Sequence, residues 1–233
     1  MLDALKRDMR KLADPTKATL LAGFFKTGPG QYGAGDVFLG IMVPAQRIVA
    51  KKYRALSLAE IAALLGSKVH EHRFTALVIL VAQYKAAAPG GRRAIFDFYL
   101  AHTARINNWD LVDLSAPPIV GDYLLSHPEL QSTINTLAGS ADLWERRIAV
   151  LATGAFIRTN QFAETFRVAE MLLADEHDLI HKAVGWMLRE VGKRDQAAEE
   201  AFLERHAARM PRTMLRYAIE RFSGEKRRRY MNL

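Results

Sequence analysis

Apolar residues return along this chain every three or four positions, and almost nowhere at every second one. That is the period of a helix face, not of a half-buried strand. Leu2, Leu5, Met9 and Leu12 mark a first amphipathic stripe. Leu20, Leu21, Phe24 and Phe25 mark a second, opened by Asp14-Pro15 as a cap followed by the first helical position. The same spacing predicts a helix over 44–53, then a short one capped by Ser57, carrying Ile61, Leu64 and Leu65 and closed by Gly66. Further helices are predicted over 69–86, 91–104, 109–114, 118–125, 129–137, 142–156, 163–172, 178–191, 196–207 and 212–222. Ser126 and Ser140 stand where helix caps are expected. The connections are short and hold Gly, Pro or Asp, as in Pro89-Gly90-Gly91, Ser126-His127-Pro128 and Gly139-Ser140-Ala141. No Asn-Gly or Asp-Gly turn separates two β-rich runs, so the expected class is all-α. So many short helices exceed a single bundle. A stacked α-solenoid of HEAT-like antiparallel pairs accommodates them, as one domain over 1–233 with no linker.

Composition narrows the partner. Lys and Arg outnumber Asp and Glu by 33 to 25, a formal charge of +8, which points to a polyanion, either nucleic acid or an acidic membrane surface. No apolar run approaches the roughly 20 residues needed to span a bilayer, and the longest, 74–84, has the length of a buried helix. The opening MLDALKRDMRKLAD is charged throughout and lacks an apolar core, so a secretion signal is not expected. The absence of cysteine removes disulfides, zinc ribbons and thiol nucleophiles, and fits a cytoplasmic protein.

Three segments hold candidate chemistry. In NNWDLVD, Trp109 and Asp113 lie four residues apart, on one helix face; core packing accounts for such a pair as well as a site does, and Asn107, Asn108 and Asp110 are equally candidate caps. In WERRIAV, Arg147 shares a face with Trp144 and is either a solvated charge or a forked donor to phosphate. In KAVGWMLRE, Gly185 in mid-helix makes room beside Trp186 or allows close helix packing. The stretch TGPGQYGAGD at residues 27–36 has four glycines, but no strand precedes it and no Gly-Lys-Ser/Thr follows, so it reads as a flexible connection. His70-Glu71-His72 lacks the zinc spacing, and His177 with His181 lacks a third ligand, so no metal and no cofactor is expected.

NNWDLVD, WERRIAVL and KAVGWMLRE, in this order, together with FLGIMVPAQR at residues 38–47, resemble the AlkD family of DNA alkylation repair glycosylases. The resemblance implies a right-handed α-solenoid with a basic concave DNA-binding face. It implies a bacterial, cytoplasmic, monomeric enzyme of base excision repair that releases positively charged N3- or N7-alkylated purines from duplex DNA. It places Trp109, Asp113 and Trp186 in the catalytic site and Arg147 on a phosphate, with Tyr32 as a cleft aromatic and Arg47, Lys182 and Arg189 as further DNA contacts. Lys51, Lys52, Arg105 and Arg146 are other basic candidates, and the run Lys226-Arg227-Arg228-Arg229 is either a disordered tail or a weak DNA attractant. The alternatives are a DNA-binding relative without excision activity and a protein–protein scaffold.

Overall fold

The computed structural model describes all residues, Met1 to Leu233, and they divide into two compact units, Met1–Ser115 and Ala116–Leu233. The secondary structure is helical throughout. One isolated parallel bridge, Val37 with Val69, is the sole strand-like pairing.

The first unit holds α1 (Leu2–Lys11), α2 (Pro15–Phe24), α3 (Val43–Lys52), α4 (Leu58–Leu65), α5 (His70–Ala86), α6 (Pro89–Ala101) and the start of α7 (Trp109–Ala116). Several of its boundaries are written in the local chemistry. The Asp14 side chain accepts from Lys17 N–H with Pro15 in the first turn. Ser57 and Glu60 form a reciprocal capping box on α4. Helix α5 is the centre of the unit, packed against α3, α4 and α6. Every residue from His70 to Leu77 is buried, which is why its first two turns show no one-sided apolar stripe. Leu5, Met9, Ile61, Leu64, Leu77, Leu80, Tyr84 and Tyr99 complete the core around it.

The second unit begins at the end of α7 and continues through a π turn (Pro117–Gly121), α8 (Asp122–Leu125), α9 (Ser132–Ala138), α10 (Leu143–Arg158), α11 (Ala163–Met171), α12 (Asp178–Gly192), α13 (Gln196–His206), α14 (Arg212–Ala218) and α15 (Gly224–Met231). Helices α10 and α12 are its spine. Helix α10 packs on α9, α11 and α12, while α12 packs on α13 and α14. A Cβ on Gly121 would overlap Ala152 O, so only glycine lets the π turn lie against α10. Gly185 has the same function on α12: a side chain there would meet Met214 O and, at 2.6 Å, Tyr217 Cβ.

Three local expectations change. Ser140 does not cap α10: Asp142 does, accepting from Trp144 and Glu145 N–H, while Ser140 Oγ accepts from Asp142 N–H. Ser126 closes α8, its hydroxyl donating back to Asp122 O, because the following His127-Pro128 opens a 3-10 turn instead. The basic run 226–229 forms part of α15, capped by the Ser223 hydroxyl.

Candidate functional site

The most developed site in the first unit grows from the α2–α3 connection. The glycine-rich segment 27–36 leaves α2 through Lys26, in the left-handed region at φ 55°, and uses positive φ again at Gly30 and Gly35. It ends by delivering Asp36 to the start of α5. The Asp36 carboxylate takes Arg73 Nη2 at 2.5 Å and His70 Nδ1 at 3.1 Å. Backbone bonds from Val37 N–H to Lys68 O and from His70 N–H to Val37 O clamp the same junction.

The next four residues, Phe38-Leu39-Gly40-Ile41, wrap around a buried carboxylate. Glu71 accepts from the N–H groups of Leu39, Gly40 and Ile41 at 2.8–3.2 Å. Three such donors replace the water that a buried anion would otherwise lose. Gly40 stands at φ +82°, and a Cβ there would overlap Asp14 O, so no other residue makes this wrap without distortion.

Phe38 stacks on Phe25 and on the His70 ring, at 5.1 and 4.7 Å. Trp109, the first residue of α7, stacks on Phe25 at 5.3 Å and meets Phe24 edge-on at 5.9 Å. The second His70 nitrogen, Nε2, lies 2.8 Å from Asp110 Oδ2. The imidazole therefore bridges two acids, one from the glycine-rich loop and one from α7. Burial alone would lower the His70 pKa, but the hydrogen bonds to Asp110 and Asp36 prevail and raise it. Asp36 is likewise pushed upward by burial and lowered on balance by His70 and Arg73. Between these groups lies a cavity of about 300 Å³, walled by Phe24, Phe25, Phe38, Phe74, Trp109 and aliphatic side chains, with Gln46, His70, Glu71 and Asp110 as its polar lining.

Asp113 sits one turn beyond Trp109 on α7 and is half-buried, as Trp109 is. It lies close enough to Tyr99 that its charge, added to the effect of complete burial, raises the pKa of that phenol. The buried Tyr99 hydroxyl also meets Ser115 Oγ at 3.0 Å, so α6 and α7 are joined beneath the carboxylate. Asn108 supports α7, its Oδ1 accepting from Trp109 N–H.

The second unit gathers a separate group. Trp186, half-buried on α12, donates from its indole N–H to Glu190 at 3.0 Å. Lys182 and Arg189 flank it on the same helix; Lys182 pairs with Asp178 at 2.7 Å, and Arg189 pairs with Glu220. Arg147 of α10 is 5% exposed, and its Nη1 donates to Leu179 O at 2.6 Å, tying α10 to the first turn of α12. Arg146 pairs with Asp175 at 2.7 Å. In the first unit, Tyr32 is half-buried in the glycine-rich loop, and Arg47, Lys51 and Arg105 are exposed. His177 accepts Leu179 N–H on its Nδ1 as the cap of α12, and His181 Nε2 meets Asp175 O at 2.5 Å.

Sequence reasoning thus found Trp109 and Asp113 as a pair on one face. It passed over His70, Asp36 and Glu71, the polar frame of the cavity. Their signal was present as His-Glu-His-Arg at the head of a long apolar helix. Four polar residues entering a core each require a partner, whether or not they have the spacing of a metal site.

Fold and site define an all-helical protein whose helix pairs carry an aromatic cavity edged by acids and, on another unit, an indole among basic side chains. The family described as DNA alkylation repair enzyme matches residues 5–222, and the chain belongs to it. Among solved structures it is similar to a predicted DNA alkylation repair enzyme from Enterococcus faecalis, at 17% identity and a TM-score of 0.72, covering 91% of this chain and 97% of that one. It is also similar to AlkD2 from Streptococcus mutans, at 16% identity and a TM-score of 0.57, covering 89% and 99%. These likenesses carry the fold. No curated protein matches the chain. No helix is long and apolar enough to cross a membrane.

Proposed function

We propose that this DNA alkylation repair protein is a glycosylase that releases positively charged N3- or N7-alkylated purines from duplex DNA. In this reading it acts as a monomer in the bacterial cytoplasm, as one functional domain over 1–233. The observation that carries the reading is the Trp109–Asp113 pair, one turn apart on α7 and both half-buried, so that an anion and an indole stand together within reach of solvent.

An N-alkylated purine bears a positive charge and leaves as a neutral base, so little acid catalysis is needed. The barrier lies in the cationic character that grows on the deoxyribose as the bond stretches. A fixed carboxylate offsets that charge and orients the attacking water. Asp113 takes this role. Trp109 and Trp186 supply electron-rich faces that favour a nearby cation. Arg147, with Tyr32, Arg47, Lys182 and Arg189, holds the DNA, largely through phosphates that set position without reading sequence.

The test is release of free base from duplex DNA carrying N7-methylguanine. Wild type is expected to release it. Asp113→Asn is expected to lose at least about a hundredfold in rate, the scale of a single electrostatic group aimed at developing charge, while DNA affinity persists. Release undiminished in Asp113→Asn removes Asp113 from the chemistry. A second reading, a DNA-binding relative without excision activity, is favoured by one observation: Arg147 is already engaged by Leu179 O, and Lys182 and Arg189 by acids. No release from any cationic lesion by wild type selects it.

A further inference from the structure

His70 is held by both of its ring nitrogens. Nδ1 lies 3.1 Å from Asp36 Oδ2 in the glycine-rich loop, and Nε2 lies 2.8 Å from Asp110 Oδ2 on α7. Asp36 Oδ2 also takes Arg73 Nη2, which favours the ionised acid. A carboxylate only accepts, and an imidazole donates to two acceptors only when both nitrogens carry protons. The geometry therefore sets an imidazolium between two acids. With Arg73 the group balances: two carboxylates, one guanidinium and one imidazolium. Loss of the ring proton breaks that balance on one side. Asp36 keeps Arg73, whereas Asp110, whose side chain is 14% exposed against 6% or less for the other three, loses its partner and can turn to water.

Asp110 occupies a sensitive place. It is the second residue of α7, with Trp109 before it and Asp113 three residues on. Its Oδ1 accepts from Leu111 N–H, so the same carboxylate that meets His70 holds the first turn of the helix. A second route reaches that turn through the aromatic rings. Phe25 lies 4.7 Å from His70 and stacks on Trp109 at 5.3 Å. Facing the imidazole are thus Asp36 from the loop, Asp110 from α7, Arg73 from its own helix, and the rings of Phe25 and Phe38. Glu71, next along α5, is spent on the N–H groups of residues 39–41, and α3 lines the adjoining cavity with uncharged Gln46. Burial opposes the charged ring, and the two acids outweigh it.

We propose that His70 is a positioning residue: bridging Asp36 and Asp110, it anchors the first turn of α7 to the glycine-rich loop and so fixes the direction in which Trp109 and Asp113 are presented. For its effect on excision the inference rests on the glycosylase reading; for the anchoring itself it does not. When the bridge loses its proton, α7 loosens at its start while α5 stays packed.

Asp110→Asn separates the charge from the contact. Asn keeps an acceptor for Leu111 N–H, and its amide donates to a neutral His70 Nε2 while Nδ1–H still serves Asp36. The bridge then no longer depends on pH. Imidazole nitrogen resonances of the full chain, with His70 assigned by their loss in His70→Gln, are expected to show both ring nitrogens protonated and a midpoint above 6.5. As pH passes that midpoint, hydrogen-exchange protection of the Val112 and Asp113 amides is expected to fall by about tenfold in wild type, with Leu77 and Leu80 of α5 unaffected, as in a local opening. Asp110→Asn is expected to show no such fall. Single-turnover release of N7-methylguanine from the same duplex gives the second readout. The ratio of wild type to Asp110→Asn is expected to drop by about tenfold across the midpoint, at equal DNA affinity, on the scale of a slightly misplaced catalytic group. Titration of the lesion itself is common to both proteins and cancels in that ratio. A neutral His70 at pH 6, protection in α7 indifferent to its proton, or a ratio flat with pH overturns the proposal. Absence of release by either protein, with protection still following His70, fails the glycosylase reading and supports the anchoring.

Discussion

Glu199 of α13 shows how one residue records its surroundings. It is 1% exposed, and its Oε2 occupies the space that a Cβ on Gly192 would fill. Burial, reinforced by the charge of Glu200 and only partly offset by Arg189, pushes its pKa from the usual 4.5 up to about 8. Folding therefore holds an extra proton between these two values, so stability falls as pH rises from 4.5 to about 8 and levels off above. At neutral pH the loss is on the order of 3 kcal/mol. Glu199→Gln carries no such proton. Its denaturation midpoint is expected to pull ahead of wild type across that pH window, as measured by urea unfolding, and a constant difference at all pH values removes the explanation. His70 shows the same direction for a group that is charged when protonated. Its raised pKa means a contribution that is complete below about 6.5 and lost as pH climbs through the higher folded value.

Helices in this protein are placed as much by what is missing between them as by what they bury. Helix α12 meets α14 at Gly185, where a methyl group would run into the Met214 carbonyl and Tyr217 Cβ. Backbone cannot yield as a side-chain tip can. Gly185→Ala is therefore expected to destabilise by about 3 kcal/mol, the upper range for an overpacked core, despite the better helix propensity of alanine. Urea unfolding of the variant measures this, and a midpoint at or above wild type contradicts the close approach. In α7 the order of residues matters more than their apolar count. Asn108 and Asp110 hold the first turn through hydrogen bonds to backbone N–H groups, and Asp110 turns its other oxygen to His70. A residue legible as a cap is thereby also half of a buried ion pair.

At the scale of the molecule the surplus of basic side chains, with a formal charge of +8, governs association with a polyanion. Affinity for undamaged duplex DNA is expected to fall steeply as salt rises, with a log–log slope of about −0.9 for each phosphate neutralised. Arg47 is exposed on α3, so Arg47→Ala is expected to make that slope shallower by about one contact without loss of fold. Filter-binding across a salt series reads both values. A slope near zero in wild type argues for a protein partner, and an unchanged slope in the variant takes Arg47 off the DNA surface. Arg147 differs, because its guanidinium also serves α10 and α12 through Leu179 O; substitution there alters stability together with any binding.

The all-helical class, most of the helices and the Trp109–Asp113 pairing follow from local rules: a period of 3.6, caps such as Asp14 and Ser57, and the rotation between residues four apart. Those rules act over a few residues, so one strand of text contains them. The cavity does not follow from such rules. Asp36, Gln46, His70 and Asp110 are distant in the chain, and the sequence places them apart, in a glycine-rich loop, inside the helix over 44–53, in a His-Glu-His pattern without zinc spacing and at a candidate cap. Folding the glycine-rich loop onto α5 and α7 is what brings their charges and the aromatic rings within van der Waals reach. Hydrogen bonds and stacking decay over a few ångströms, so only the tertiary structure decides which of these groups meet.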